Sequence, residues 1–223
     1  MSFGRESEVV IAGIEPTGAN VATVSELTFS EYKRLGMPVE EARDRALGTR
    51  AVLNQGVDIR DNAWSYMGAF QDGHLVAVSE VAQFTSVNML PFARNDAERR
   101  RLERRAARDK PLMGAPLALR RLMIADEVTA AVRIDALNGL LTEVTDSTLA
   151  GPSWYRIAPE IRASSYDTDP ARGALVQHGF VKSAFSAITV SGTTKMQDLY
   201  IRRPSRADQH ATETSHNLPI GYT

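Results

Sequence analysis

The chain has 223 residues, of which 43% are hydrophobic and 24% charged, the composition of a globular protein with one sizeable core. Its formal net charge of −1 gives no overall attraction to nucleic acid or anionic lipid, so any such affinity has to come from a local patch. The absence of cysteine excludes disulfides, thiolate metal ligands and cysteine nucleophiles. The sequence contains neither the apolar core of a signal peptide nor a membrane-spanning run, so we expect a soluble, cytoplasmic protein with no membrane partner.

The first part of the chain predicts a strand, two helices and a β-hairpin. A β-type run at residues 9–12 is followed by residues 20–35, where apolar side chains recur at the helical period. A second helix is expected over residues 38–53, since a proline and two acidic residues open it. Asp72-Gly73, between two β-rich runs, is a strong signal for a hairpin turn.

Residues 94–110 form a run of charge with too few apolar residues for a core helix. Asp96 and Arg100, like Glu98 and Arg101, have the spacing of side-chain pairs on an exposed helix. We therefore interpret residues 93–110 as a solvated helical insertion. The alternative is an arginine-rich surface that binds phosphates of a cofactor or of nucleic acid.

The second part of the chain predicts a core helix among short strands. A strand at residues 117–125 precedes an apolar stripe from Val132 to Leu149, which is typical of a buried helix. Further strands are expected at 154–158, 181–189 and 195–202. We interpret residues 1–203 as a single domain and residues 204–223 as a polar C-terminal tail.

A short helix with clear end signals precedes the last two strands. Asp169 suits the N-cap and Pro170 the first helical position. Gly179 supplies the left-handed residue that ends a helix, and Phe180 then opens a strand.

The resulting order is strand, two helices, hairpin, strand, helix, strand, helix and two strands, and it resembles the GNAT superfamily of N-acetyltransferases. Residues 169–180 are similar to the family's late helix with its Gly-Phe pair, and the hairpin at Asp72-Gly73 to its second and third strands. Residues 119–150 match its fourth strand and central helix, so the resemblance covers about Val9 to Arg202. It implies an α/β fold of the α+β type, with a mixed, mostly antiparallel central sheet flanked by helices.

The resemblance also implies an acyl-CoA-dependent N-acyltransferase. Acetyl-CoA lies between the fourth and fifth strands of such proteins, and its pyrophosphate meets the N-terminus of the central helix. The deprotonated amine of a small molecule or a protein attacks the thioester, while a carboxylate relays the proton. The corresponding cofactor-binding positions are Ile124, Ala125, Thr129, Ala130, Ala131 and Val132. A homodimer is a further expectation.

The candidate catalytic residues are Glu80, Glu127 and Tyr155. Glu80 interrupts an apolar strand, where a carboxylate lies either on the solvent face or in the interior as a general base. Glu127 and its neighbour Asp126 follow the fourth strand, where an acidic residue is either a helix cap or a group that receives a cationic acceptor.

Two positions depart from the family pattern. The segment that corresponds to the phosphate loop, residues 125–132, contains no glycine, although its small residues still let a backbone approach a phosphate. Leu175 occupies the place of the tyrosine that protonates the leaving thiolate. Either Tyr155 or Tyr166 serves instead, or the chain is a non-catalytic GNAT-like binding or scaffold protein that contacts nucleic acid through its arginine-rich segment.

The four histidines do not have the spacing of metal ligands, and we expect no metal site. They are His74, His178, His210 and His216. His178 is expected at a helix end, where an imidazolium interacts favourably with the helix dipole. The sequence contains no Gly-x-Ser-x-Gly motif, P-loop or dinucleotide fingerprint.

Overall fold

The computed structural model describes residues 8–54, 64–83, 93–106, 117–150, 160–166, 171–190 and 193–203. The helices are α1 (Gly18–Arg34), α2 (Val39–Asn54), α3 (Asp96–Ala106), α4 (Ala130–Ala150) and α5 (Ala171–Gln177). The strands are β1 (Val9–Gly13), β2 (Trp64–Gln71), β3 (His74–Gln83), β4 (Leu117–Ile124), β5 (Ile161–Tyr166), β6 (Val181–Val190) and β7 (Thr193–Arg202). This succession confirms the predicted element order.

The strands form one mixed sheet in the order β1-β2-β3-β4-β5-β7-β6, in which only the β4–β5 pair is parallel. The predicted fold class, a mostly antiparallel sheet flanked by helices, is therefore confirmed. Since β7 is antiparallel to both β5 and β6, the strands β4, β5 and β6 all run the same way. Helices α4 and α5 connect these parallel strands, so both begin at the edge where β4 and β5 end.

Strands β4 and β5 pair only over their first three residues. The registered pairs are Leu117 with Ile161, Ala118 with Arg162 and Leu119 with Ala163. Beyond them β4 continues to Ile124 and β5 to Tyr166 without pairing to each other. The two strands therefore part toward their carboxyl ends, beside the start of α4.

A bulge in β4 lies at the point where the two strands part. Glu80 of β3 is opposite Arg121, whereas the next residue, Val81, is opposite Leu119, so Arg120 is an extra residue in β4. Because of the extra residue, the alternation of side chains between the two faces shifts by one position across the bulge. Ala118 and Arg121 consequently share a face of the sheet, although three positions separate them.

The two faces of the sheet are covered by different helices. On one face, α4 and α5 contribute Leu141, Val144 and Leu175 to a core with strand residues from β3 to β7. On the other face, α1 packs Val21, Val24 and Leu27 against β3 and β4. Leu102 of α3 packs on the same face against Ala118, Leu199 and Ile201.

Two turns follow the predicted chemistry. Asp72 and Gly73 have φ values of 51° and 80°, which makes the β2–β3 connection a two-residue type I′ turn. Gly179 has φ of 77°, and its N–H donates to the Val176 carbonyl while the Phe180 N–H donates to the Leu175 carbonyl. These two bonds form the Schellman motif that ends α5.

Some predicted features lie outside the described residues, namely the strand at 154–158, the cap at Asp169-Pro170 and the tail at 204–223. The predicted order includes a strand at the place of β5, but at residues 154–158; residues 161–166, which form β5, were not predicted as a strand. The sequence of β5 places Arg162 between apolar neighbours and continues into two serines, so neither alternation nor an apolar run marks it.

We predict that Gly139→Ala destabilises the protein although alanine is the better helix former. A Cβ at Gly139 would lie 2.7 Å from Ile11 Cγ1 and 2.8 Å from Ile11 Cδ1, so the Ile11 side chain or the helix against it has to shift. We expect a loss of about 1–2 kcal/mol in a urea unfolding experiment. Gly48→Ala in α2 is the matched control, because outside its own helix backbone no atom of the described residues lies within 4 Å of its Cβ, and it should not destabilise. Equal stability of the two variants would contradict this packing.

Candidate active site

The N-terminus of α4 lies directly after β4 and is capped by Thr129. The Thr129 hydroxyl accepts from the Val132 N–H at 3.4 Å, and its carbonyl accepts from the Arg133 N–H at 2.9 Å. The expectation that Asp126 or Glu127 caps the helix is therefore wrong, because Thr129 holds this place.

The six expected cofactor-binding residues separate into three groups. Ile124 and Ala125 are partly buried at the end of β4, whereas Thr129, Ala130 and Ala131 are exposed at the start of α4. Val132 is buried among core residues and its N–H is used by the cap. The N–H groups of Ala130 and Ala131 belong to the first turn, where helix geometry supplies no intrahelical acceptor. The structure thus presents two accessible backbone donors beside the parting strands, as an anion requires.

Asp126 and Glu127 lie in the turn between β4 and α4, and both side chains are exposed. Their charges stand a few residues before the first free N–H groups of the helix. They favour a cationic group in this region and oppose an anionic one.

Glu80 is buried, with only 1% of its surface exposed, so the solvent-face interpretation is wrong. Its position in the interior is confirmed, and its role as a general base stays a prediction. It faces the α1 side of the sheet, directly opposite Arg121 in register. The Arg121 Nε lies 3.2 Å from Glu80 Oε2. This ion pair compensates a carboxylate that would otherwise be costly to bury.

Arg121 also connects β4 to both helices of this face. Its Nη2 donates to the Tyr32 hydroxyl of α1 at 2.7 Å, and its Nη1 to the Thr49 hydroxyl of α2 at 3.2 Å. The Arg121 guanidinium lies 5.2 Å from the centre of the Tyr32 ring, and the Arg45 guanidinium lies 5.6 Å from the same ring centre. Burial lowers the pKa of Arg121, but the charge of Glu80 and the smaller contributions of Tyr32, Tyr66 and Glu31 together outweigh it, so the pKa lies above its usual value.

A second buried ion pair holds α3 on the same face. Arg162 of β5 is 2% exposed, and its Nη2 and Nη1 lie 3.1 and 3.3 Å from the two carboxylate oxygens of Glu98. Its Nε donates to Glu160 at 2.7 Å. Burial raises the pKa of Glu98, but hydrogen bonds from Arg94 and Arg162 lower it more, and the pKa is about 2.

The two ion pairs lie on either side of the point where β4 and β5 part. Arg162 is registered with Ala118, and Arg121 lies three residues further along β4, which corresponds to about 10 Å of strand. This face is therefore bordered by α1 and α2 at one end and by α3 at the other. Sequence reasoning missed the role of α3, and the one signal for it was Leu102, an apolar residue in a charged run.

The described residues include the side chain of neither tyrosine that was predicted as proton donor. Leu175 is 2% exposed within the core and has no proton to give. Tyr155 lies outside the described residues, and for Tyr166 only the backbone, at the end of β5, is described. Sequence reasoning did not single out Tyr200, which is buried in the same core as Leu175 and accepts a hydrogen bond from Arg172 at 2.8 Å.

His178 connects the two helices of the other face. Its Nε2 lies 3.2 Å from Asn138 Oδ1 of α4. Within the described ranges, no three acidic or histidine side chains group as a metal site would need. No helix of the described residues is long and apolar enough to cross a membrane.

No protein-family model and no curated protein matches the sequence. Solved structures do match, among them a GNAT-family acetyltransferase from Streptococcus pneumoniae, at 14% identity and a TM-score of 0.56 over 88% of this chain and 99% of that one. PaiA N-acetyltransferase from Thermoplasma acidophilum, in complex with coenzyme A, matches at 16% identity and a TM-score of 0.51 over 88% and 99%. The aminoglycoside acetyltransferase AAC(6')-Ib, also in complex with coenzyme A, matches at 9% identity and 0.52 over 92% and 99%.

These likenesses show that the chain has the GNAT fold. The splayed β4–β5 pair and the capped helix after β4 agree with the expectation drawn from the element order.

We predict that Glu98 stabilises the protein in a pH-dependent way. Because its pKa in the folded chain is about 2 and its ordinary value is near 4.5, its contribution is complete above about pH 5 and is lost as the pH falls toward 2. Glu98→Gln should therefore be less stable than wild type at pH 7, and the difference should shrink between pH 5 and pH 2. Urea unfolding at a series of pH values measures it.

Glu103→Gln is the matched control for this prediction. Glu103 is exposed on the same helix and forms no ion pair with the described residues. Its substitution should leave the free energy of unfolding nearly unchanged at every pH. A Glu98→Gln difference that does not vary with pH would refute the assignment.

Proposed function

We propose that the chain is an acyl-CoA-dependent N-acyltransferase that transfers an acetyl group to an amine by direct attack. The observation that carries the proposal is the parting of β4 from β5 beside the uncovered N-terminus of α4, in a GNAT fold. The solved structures with coenzyme A bound share that fold. The acceptor is a small-molecule or protein amine.

The residues present fit an acyl-CoA. The N–H groups of Ala130 and Ala131 supply donors for the diphosphate, and their small side chains do not obstruct it. After Leu119 and Ala163, the facing backbones of β4 and β5 do not pair with each other, so their polar groups remain for the amides of the pantetheine arm. Ile124 and Ala125 border the arm at the end of β4. Bound acetyl-CoA supplies an activated thioester, and the chain orients it.

Glu80 is proposed as the general base. It lies on the face of the sheet against which α1 and α3 pack, one position from the bulge of β4. The carboxylate takes the proton that the ammonium acceptor loses before attack, through a water molecule where the distance requires it. Arg121 is a positioning residue, because its contacts with Tyr32 and Thr49 fix the orientation of the pair.

Glu127 and Tyr155 complete the proposal. Glu127, exposed beside the helix N-terminus, attracts the positive charge of the acceptor before it reaches Glu80. As the nitrogen–carbon bond forms and the carbon–sulfur bond breaks, the leaving thiolate takes a proton, for which Tyr155 is the proposed donor.

A non-catalytic GNAT-like binding protein is the second candidate. Two observations favour it. Leu175 of α5 is aliphatic and buried in the core, and two exposed carboxylates precede α4. A binding protein would retain affinity for acyl-CoA, or for another ligand of this cleft, without turnover.

We predict that acetyl-CoA binds and that Asp126→Asn/Glu127→Gln binds it several-fold more tightly, because two like charges leave the vicinity of the diphosphate. Isothermal titration calorimetry measures the dissociation constant. Asp44→Asn/Glu26→Gln on α1 and α2 removes the same charge at a distance and is the control. Absence of binding at millimolar acetyl-CoA would exclude the acyltransferase, and equal affinities in all three proteins would place the diphosphate elsewhere.

We predict that removing the base lowers kcat by about 10²–10⁴-fold. Glu80→Gln alone leaves the partly buried Arg121 without its ionic partner, a loss that costs up to about 3–5 kcal/mol for a fully buried pair, so Glu80→Gln/Arg121→Gln is the informative variant. An acyltransfer assay with a panel of amines is compared with thermal unfolding and acetyl-CoA affinity, which should be retained. A double variant that turns over like wild type would rule out Glu80 as the base.

A further inference from the structure

Helix α3 carries exposed arginines that have no ionic partner among the described residues. Arg99, Arg100, Arg101 and Arg104 are exposed, and none of them forms an ion pair with any described carboxylate. The pair predicted between Asp96 and Arg100 is not formed, although the spacing allows it.

The helix is held in one orientation by the opposite face. Leu102 is buried against β4 and β7, and Glu98 lies against buried Arg162. At 3.6 residues per turn, Arg100 and Arg104 lie about 160° around the helix from Leu102, one on each side, so they point away from the sheet. Arg101 lies about a quarter turn from Leu102 and borders them.

The distribution of charge on α3 leaves a local positive surface. Its most buried acid, Glu98, is neutralised by Arg94 and Arg162, so it does not compensate the outer arginines. Arg100 and Arg104 are four residues apart, a spacing at which like charges destabilise a helix by about 0.2–0.5 kcal/mol. Residues 94–110 hold eight basic and four acidic residues, although the whole chain has a net charge of −1.

We propose that the outer face of α3, formed by Arg100, Arg101 and Arg104, is a docking surface for the phosphate backbone of duplex nucleic acid. Guanidinium groups bind phosphate through two parallel hydrogen bonds, and a bound polyanion removes the repulsion among them. One helical turn separates Arg100 from Arg104, about 6 Å along the axis, so the two can engage different phosphates of one strand.

The composition of α3 selects this occupant among polyanions. The helix carries no aromatic side chain on which unpaired bases could stack, so a single strand gains no stacking energy beyond the phosphate contacts. Its one leucine is buried in the core, so it offers no apolar face for insertion into an anionic membrane. Duplex phosphates need only fixed, exposed cations, which this helix provides.

Fluorescence anisotropy with a labelled 20-base-pair DNA duplex at 50 mM salt tests the proposal. Wild type should bind, and Arg100→Gln/Arg101→Gln/Arg104→Gln should weaken binding by about tenfold or more. The slope of log K against log salt should fall by roughly 2 to 3, since each lost phosphate contact removes about 0.9. The substituted side chains are exposed, so thermal unfolding should be unchanged or slightly improved.

Arg34→Gln/Arg43→Gln/Arg50→Gln on α1 and α2 has the same net charge and is the matched control. It should bind the duplex within a few-fold of wild type. Equal weakening by the two triple variants, tighter binding of a single strand than of the duplex, or no binding by wild type would overturn the proposal. Acetyl-CoA affinity, measured in the same samples, should be the same in all three proteins. It therefore tests the acyltransferase proposal separately from the nucleic-acid proposal.

Discussion

The parting of β4 and β5 is the constraint on which the rest of the structure depends. Among the described residues, three registered pairs join the β1–β4 half of the sheet to the β5–β7 half. Backbone pairing this short has to be supported by side chains that cross the junction. On one face α4 and α5 pack against both halves, and on the other Leu102 bridges Ala118 of β4 and the β7 leucine and isoleucine. A cleft can therefore open between the strands without dividing the core.

The buried charges lie close to this junction and have a cost that the apolar core does not. A buried ion pair contributes little net stability, and a hydrophobic replacement of similar volume is often as stable. Yet Glu80–Arg121 and Glu98–Arg162 occur on one face, a few residues apart along neighbouring strands. The ion pairs instead fix orientation, because each holds a carboxylate in one position relative to the strands that part. For Glu98 this fixes α3, and for Glu80 it fixes the proposed general base.

Sequence predicted the parts of the fold that depend on local chemistry. Asp72-Gly73 and Gly179 require positive φ, and the stripe from Val132 to Leu149 repeats at the helical period, so each is determined within a few residues. The failures depend on distant partners. Whether Glu80 is buried depends on Arg121, and whether Arg162 can lie in a strand depends on Glu98, 64 positions earlier. The splay itself follows from pairing between β4 and β5, which no local pattern encodes.

The candidate site divides in the same way into what backbone geometry supplies and what side chains supply. The proposed binding of a diphosphate at α4 requires N–H groups, which Ala130 and Ala131 provide as a glycine would, except where a ligand has to approach closer than a Cβ allows. The turn acids would weaken such binding electrostatically but leave the donors in place. Proton transfer has no such backbone substitute, because it requires a titratable side chain at the reacting atoms. Under the proposed function, a leucine at position 175 therefore bears on turnover and not on affinity, so binding and catalysis would depend on different residues.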